Sequence, residues 1–152
     1  MDREQLTGLL EIAIQREIEA YDFYTKVAAS FKDKALVMIF SELAQEEQSH
    51  RNLLETFLTH PEKHFEISAP ARDYKLAEET ELPALSIEMK PAEAFALAMK
   101  KEQQAAEFYR DLANRTIDDE VKDICLNLAN MELKHKQKIE KAFVDVAYVE
   151  SF

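Results

Sequence analysis

This chain of 152 residues holds one cysteine, one glycine and four prolines, and each scarcity removes a class of protein. With only Cys125, the sequence can form no internal disulfide and cannot supply a cysteine-rich zinc or iron–sulfur module. A reducing cytoplasm is the expected compartment. Few Gly and Pro beside plentiful Ala, Leu, Glu, Lys and Gln leave little turn or strand chemistry and favour long helices, so the expected class is all-α. Basic residues are also short, 19 Lys and Arg against 30 Asp and Glu, and the net charge of −11 repels phosphate backbones and anionic headgroups. No basic patch offsets this, which argues against nucleic-acid and membrane-surface partners. No stretch approaches the roughly 20 apolar residues of a membrane span, and Met1-Asp2-Arg3-Glu4 opens directly into an amphipathic segment. A soluble, unexported protein of one domain, residues 1–152, is expected.

What is present is a repeat at an offset of 85 residues, with no gap needed. Arg16-Glu17-Ile18-Glu19-Ala20-Tyr21-Asp22-Phe23-Tyr24 aligns with Lys101-Glu102-Gln103-Gln104-Ala105-Ala106-Glu107-Phe108-Tyr109. Leu43-Ala44-Gln45-Glu46-Glu47-Gln48-Ser49-His50 aligns with Leu128-Ala129-Asn130-Met131-Glu132-Leu133-Lys134-His135. Each half thus offers one Glu from a first segment and a Glu-x-x-His from a second. That is the inventory of a di-metal carboxylate site inside a four-helix bundle.

Periodicity places these residues on helices. Leu6, Leu10, Ala13, Glu17, Ala20, Tyr24 and Ala28 share one helical face, and Phe40, Leu43, Glu47, His50, Leu54 and Phe57 share another. The second half repeats the pattern with Phe95, Ala98, Glu102, Ala105, Tyr109 and Leu112, then with Val121, Cys125, Leu128, Glu132, His135, Ile139 and Ala142. Helices are expected over about 3–30, 34–59, 91–115 and 118–148. Asp33 and Asp118 are suited to cap the second and fourth, and Pro91 to open the third. Short turns make each pair an antiparallel hairpin. Residues 60–90, with Pro61, Pro70 and Pro83 and no sustained period, read as a long crossover. A helix of 26 residues is about 39 Å long, and a segment of this size can run back along it and start the third helix parallel to the second.

A carboxylate on an inward face is costly unless it is paired or holds a cation, and four glutamates occupy such faces here. In Glu47-x-x-His50 and Glu132-x-x-His135 the spacing of three sets both side chains on one face, where they can share one metal or bridge two. Glu17 and Glu102 close the site from the other helices. A lone Glu-x-x-His in a glutamate-rich helix reads as a solvated face; two copies on apolar stripes, each with an inward Glu at the same offset, do not. Oxygen-rich ligation with two imidazoles suits iron or manganese, with zinc as an alternative. Tyr24 and Tyr109, each seven residues after its glutamate, are either core aromatics or phenols that hydrogen-bond and orient a ligating carboxylate. Phe23 and Phe108 read as packing. His60 and His64 flank Pro61 and read as loop histidines, Cys125 as a small buried hydrophobe, and Glu19 and Glu46 as solvated. The apolar run from Ala142 to Val149 either caps the core or forms a subunit contact, and a homodimer is expected from it.

At these residues the chain resembles the ferritin-like superfamily, and within it the rubrerythrin-type di-iron proteins. The resemblance spans nearly the whole chain: Glu17-x-x-Ala20 with Tyr24, Leu43-Ala44-x-x-Glu47-x-x-His50, Glu102, and Leu128-Ala129-x-x-Glu132-x-x-His135. It implies a ferritin-like four-helix bundle and a centre of two iron ions that reacts with hydrogen peroxide or dioxygen. Glu47 and Glu132 would bridge, with Glu17, Glu102, His50 and His135 as terminal ligands. Rubrerythrins typically carry a C-terminal module with four iron-binding cysteines that delivers electrons; with one cysteine here, a separate electron-donor protein is expected. They also carry a second glutamate three residues after the third-helix ligand, where this chain has Ala105. Four Glu and two His also resemble the bacterioferritin ferroxidase set, yet Gln48 stands where a haem-ligating Met would follow the second-helix Glu, so no haem is expected.

Three functions fit this reading. The first is a non-haem di-iron oxidoreductase, peroxidase-like or ferroxidase-like, re-reduced by an external donor. The second is a protein that binds or sequesters metal without turnover. The third is a structural or regulatory bundle that keeps an inherited site. Metal content separates the third from the others, and turnover separates the first from the second.

Overall fold

The computed structural model describes residues 3–60, 90–117 and 119–150. Four helices fill them: α1 (Arg3–Ser30), α2 (Lys34–Thr59), α3 (Pro91–Arg115) and α4 (Asp119–Glu150). The spans expected from periodicity match closely, and α4 runs on to Glu150 rather than ending near 148. No strand occurs among the described residues, and none of the described helices is long and apolar enough to cross a membrane. The expected crossover, with Pro61, His64, Pro70 and Pro83, lies outside the described residues, as does Asp118. The chain divides into two compact units, residues 1–65 and 66–152, each built on one helix pair.

In the first unit α1 and α2 pack against each other across a three-residue turn, 31–33, and therefore run antiparallel. Asp33 terminates the turn and starts α2. Its carboxylate accepts hydrogen bonds from the Ala35 N–H at 2.8 Å and the Leu36 N–H at 3.3 Å, satisfying two of the donors a helix start leaves open. At the end of α1 the Ser30 hydroxyl donates to the Val27 carbonyl at 2.6 Å, and α2 closes where the His60 N–H reaches the Thr56 carbonyl at 2.8 Å. Leu10, Ala13, Tyr24, Val27 and Ala28 of α1 are buried, as are Leu36, Phe40, Leu43, Ala44, Leu54 and Phe57 of α2. Near the turn, Phe40 packs 5.8 Å from Phe31 and 6.3 Å from Tyr24, tying the hairpin's closed end together.

In the second unit α3 starts at Pro91, whose fixed φ suits the first turn and whose missing N–H is lost where no helical partner exists. Lys90 gives no side-chain cap; its carbonyl accepts the Ala94 N–H at 3.0 Å. Asp119 and Glu120 place negative charge on the first turn of α4, where the helix dipole favours it. The hairpin core joins Ala94, Phe95, Ala98, Ala105, Tyr109 and Ala113 to Cys125, Leu128 and Ile139, with Phe95 edge-on to Phe143 at 6.0 Å. Burial here spreads well beyond one stripe. All six residues from Ala94 to Met99 are buried, and on α4 so are Ala129, Met131 and Leu133. A one-face reading of the sequence does not anticipate this breadth.

Candidate metal centre

Each unit carries half of the expected ligand set. In the first, Glu17 comes from the middle of α1, and Glu47 and His50 lie one turn apart on α2. All three replace apolar residues in an otherwise apolar stripe, so the packing of the two helices drives Glu17 and Glu47 into the interior. The side chain of Glu17 is 2% exposed, and neither of its carboxylate oxygens has a hydrogen-bond partner among the described residues. His50 lies beside it, with Nδ1 3.7 Å from Glu17 Oε2 and 3.9 Å from Glu47 Oε2. An ionised carboxylate in such surroundings carries a desolvation penalty of several kcal/mol unless a cation reaches it. A buried carboxylate with both oxygens unsatisfied fits metal ligation, and this donor set suits a hard or borderline metal.

The second unit places Glu102 of α3 with Glu132 and His135 of α4, all three buried. Here the closure is tighter: His135 Nδ1 lies 2.9 Å from Glu102 Oε1, where the ring N–H can donate to the acceptor-only carboxylate. Tyr24 and Tyr109 are buried on the same faces as their glutamates, Tyr24 against Phe23 and Phe40 and Tyr109 against Phe108. Ala105 is buried one turn after Glu102. Gln48 is half-buried and its amide donates to Asn52 Oδ1 at 3.1 Å.

The remaining chemistry-bearing residues fall outside these groups. His60 is exposed at the end of α2. Glu19 is exposed and accepts from the Gln15 amide at 3.5 Å, while Glu46 is half-buried. Cys125 is buried, and desolvation pushes its thiol above the ordinary cysteine value, the character of an inert core residue. Sequence reasoning missed one pair, Lys136 and Glu140, wholly buried one turn apart on α4 with Nζ and Oε2 3.8 Å apart. The signal available was the interval Ala129, Leu133, Lys136, Glu140: an i, i+4 pair of opposite charge continuing a second apolar row rather than a solvated one.

The sequence matches the Rubrerythrin family over residues 8–143. Among solved structures, a hypothetical protein from Pyrococcus furiosus is similar at 28% identity and a TM-score of 0.59, with 94% of this chain and 91% of that chain covered. No curated protein matches. The family match covers all four helices and both Glu-x-x-His motifs, so the chain belongs to the rubrerythrin family, and its fold class is the all-α, ferritin-like four-helix bundle.

Proposed function

We propose that the two half-sites act together as one di-iron carboxylate centre, that the chain forms a single ferritin-like domain around it, and that it is a rubrerythrin-type oxidoreductase acting on hydrogen peroxide or dioxygen. The observation that carries this reading is Glu17: a carboxylate with both oxygens buried and no hydrogen-bond partner among the described residues, beside a Glu-x-x-His motif, in a chain that matches the Rubrerythrin family over residues 8–143. Glu47 and Glu132 would bridge the ions, as the family resemblance implies, with Glu17, His50, Glu102 and His135 as terminal ligands. A bound diferrous pair would supply the two electrons that, with two protons, take peroxide to two waters, and an external donor would restore them. The chain's own residues would fix ligand geometry and exclude bulk water, with the buried Tyr24 phenol the candidate to orient a ligating carboxylate. The C-terminal apolar run supports a homodimer, which light scattering at micromolar concentration checks.

A second reading, metal binding without turnover, is favoured by one residue. Ala105 puts a methyl group where a further carboxylate would extend the ligand set. The test of both is anaerobic iron loading with elemental analysis, followed by stopped-flow mixing with peroxide and, separately, with dioxygen. Two irons per chain that are oxidised and then re-reduced by an added donor support the enzyme. Two irons that neither oxidant touches support the binding protein. Absence of retained iron rejects both.

A further inference from the structure

The α1–α2 hairpin holds an open cleft of about 320 Å³, between the level of its half-site and its closed end. That volume falls in the range of about 300–1,000 Å³ that small-molecule sites occupy. Tyr21 and Thr25 of α1 and Ser41 and Gln45 of α2 supply polar walls, over a floor of buried Ala28 and Ala44. The 85-residue repeat separates packing from ligand chemistry here. Ala28 and Ala44 recur as Ala113 and Ala129, buried in the second hairpin too, so small residues at these positions serve the close approach of paired helices. The walls do not recur. Tyr21, Thr25, Ser41 and Gln45 correspond to Ala106, Arg110, Leu126 and Asn130, so the combination of aromatic ring, two hydroxyls and carboxamide is particular to the first hairpin.

The lining selects an occupant. No charged side chain is among the described lining residues, in a chain whose net charge is −11. A phosphate-bearing carrier therefore finds no cation to pair with, and an anionic reductant is repelled by the protein as a whole. A small neutral ring suits the cleft. It can lie against the Tyr21 ring and the alanine methyls while its own hydroxyls exchange hydrogen bonds with Thr25, Ser41 and Gln45.

Position decides what such a molecule does. Tyr21 follows Glu17 by four residues and Gln45 precedes Glu47 by two, offsets of about 6 and 3 Å along their helices. None of Glu17, Glu47 and His50 is among the described lining residues, so an occupant sits within about one turn of these groups without touching them. Peroxide or dioxygen must reach the metal itself, whereas electrons cross such a gap. The cleft is thus placed for a donor.

We infer that this cleft binds a small, uncharged hydroquinone as the reductant that returns the centre to its diferrous state. This rests on the di-metal reading above, whose donor it names. The hydroquinone gives one electron to each of two ferric ions and its two protons to water at the open side of the cleft, and it leaves as the quinone. Over a cycle with peroxide, one hydroquinone and one peroxide become one quinone and two waters.

Duroquinol and duroquinone are suitable probes, because their ring methyls block addition by protein nucleophiles. Metal-free, isotopically labelled full chain is titrated with duroquinone and read by amide NMR, and saturable shifts centred on residues 21–29 and 37–45 are expected. Thr25→Trp and Ser41→Trp each fill the cleft from an exposed position, and two variants guard against misfolding of either, which circular dichroism detects. Each should weaken binding by about 10-fold or more, the scale on which one apolar group decides fit in a pocket. In iron-loaded, oxidised protein the rate of reduction should saturate with duroquinol concentration. Both variants should lose that saturation and most of the rate, while reduction by dithionite keeps its wild-type rate. Shifts that fall elsewhere or do not appear, variants that bind duroquinone as wild type does, or iron that only a protein donor reduces overturns the inference and leaves the di-metal reading intact. Failure to retain any iron overturns both.

Discussion

Glu102 and His135 are 33 residues apart in the chain and bonded in space, with Oε1 of one 2.9 Å from Nδ1 of the other across the α3–α4 hairpin. This contact joins the two helices at the level where both put a titratable side chain into their shared core, and it fixes the orientation of the imidazole. Its counterpart, Glu17 with His50, is longer by 0.8 Å, from 3.7 against 2.9 Å, and leaves Glu17 without a hydrogen bond among the described residues.

That difference makes Glu17→Gln diagnostic. Replacing an unsatisfied buried carboxylate by a neutral amide of the same shape should raise the stability of the metal-free protein, by about 1 kcal/mol or more. The same change should lower the stabilisation that iron confers, since the amide is a poorer ligand. Urea unfolding with and without iron reads both. A residue kept for structure alone would show the opposite order, with the metal-free protein weakened by the substitution.

Glu132→Ala should lower iron affinity by roughly tenfold or more, at least the loss caused by removing a group that merely orients a ligand. Glu46→Ala should retain iron near the wild-type level. Glu132 is buried between α3 and α4, whereas Glu46 is half-buried and its position is rotated about 100° from Glu47 around α2. Elemental analysis after desalting compares them, and equal losses would show that position relative to the inward stripe does not decide ligation.

Asp33→Ala separates fold from site. Loss of the two hydrogen bonds to Ala35 and Leu36 should cost about 1 kcal/mol, seen as a lower denaturation midpoint. Iron per folded chain should stay unchanged, because the cap lies at the turn and the ligands lie at least 14 residues along α2, as Glu47 follows Asp33. A fall in iron content at full helicity would show that the turn sets the ligand geometry.

The helices were legible in the sequence because their ends carry local chemistry: Asp33 at one start, Pro91 at another, and short breaks between apolar periods. The candidate ligands stood out because Glu17, Glu47, Glu102, Glu132 and His135 interrupt those periods, and all five are buried. Two features were not. Lys136 and Glu140 are buried on a second row of α4, and charge on a helix ordinarily marks a solvated face, so their sequence gives the wrong sign. The unequal closure of the half-sites was hidden for a different reason. Spacing of three places a histidine on the right face in both motifs, but it does not fix the few tenths of an ångström that separate 2.9 from 3.7 Å.

Position 105 offers the test of which oxidant the centre favours. Ala105 is buried one turn after Glu102 on α3, so a longer acidic side chain there would project toward the same ligand group. Without metal, Ala105→Glu adds an uncompensated buried carboxylate and should destabilise the protein by roughly 1–3 kcal/mol. With iron bound, the new carboxylate gains a cation, and most of that loss should disappear. The rubrerythrin pattern has a glutamate at this position, so the variant should raise the rate with peroxide relative to the rate with dioxygen, while wild type is oxidised by either but turns over slowly unless a donor is supplied. Stopped-flow rates for each oxidant, measured beside unfolding curves of the metal-free and iron-loaded variant, decide the matter. A restored stability with an unchanged rate ratio would mean that the added carboxylate binds the metal without setting the choice of oxidant. An unrestored stability would mean that position 105 does not reach the metal at all.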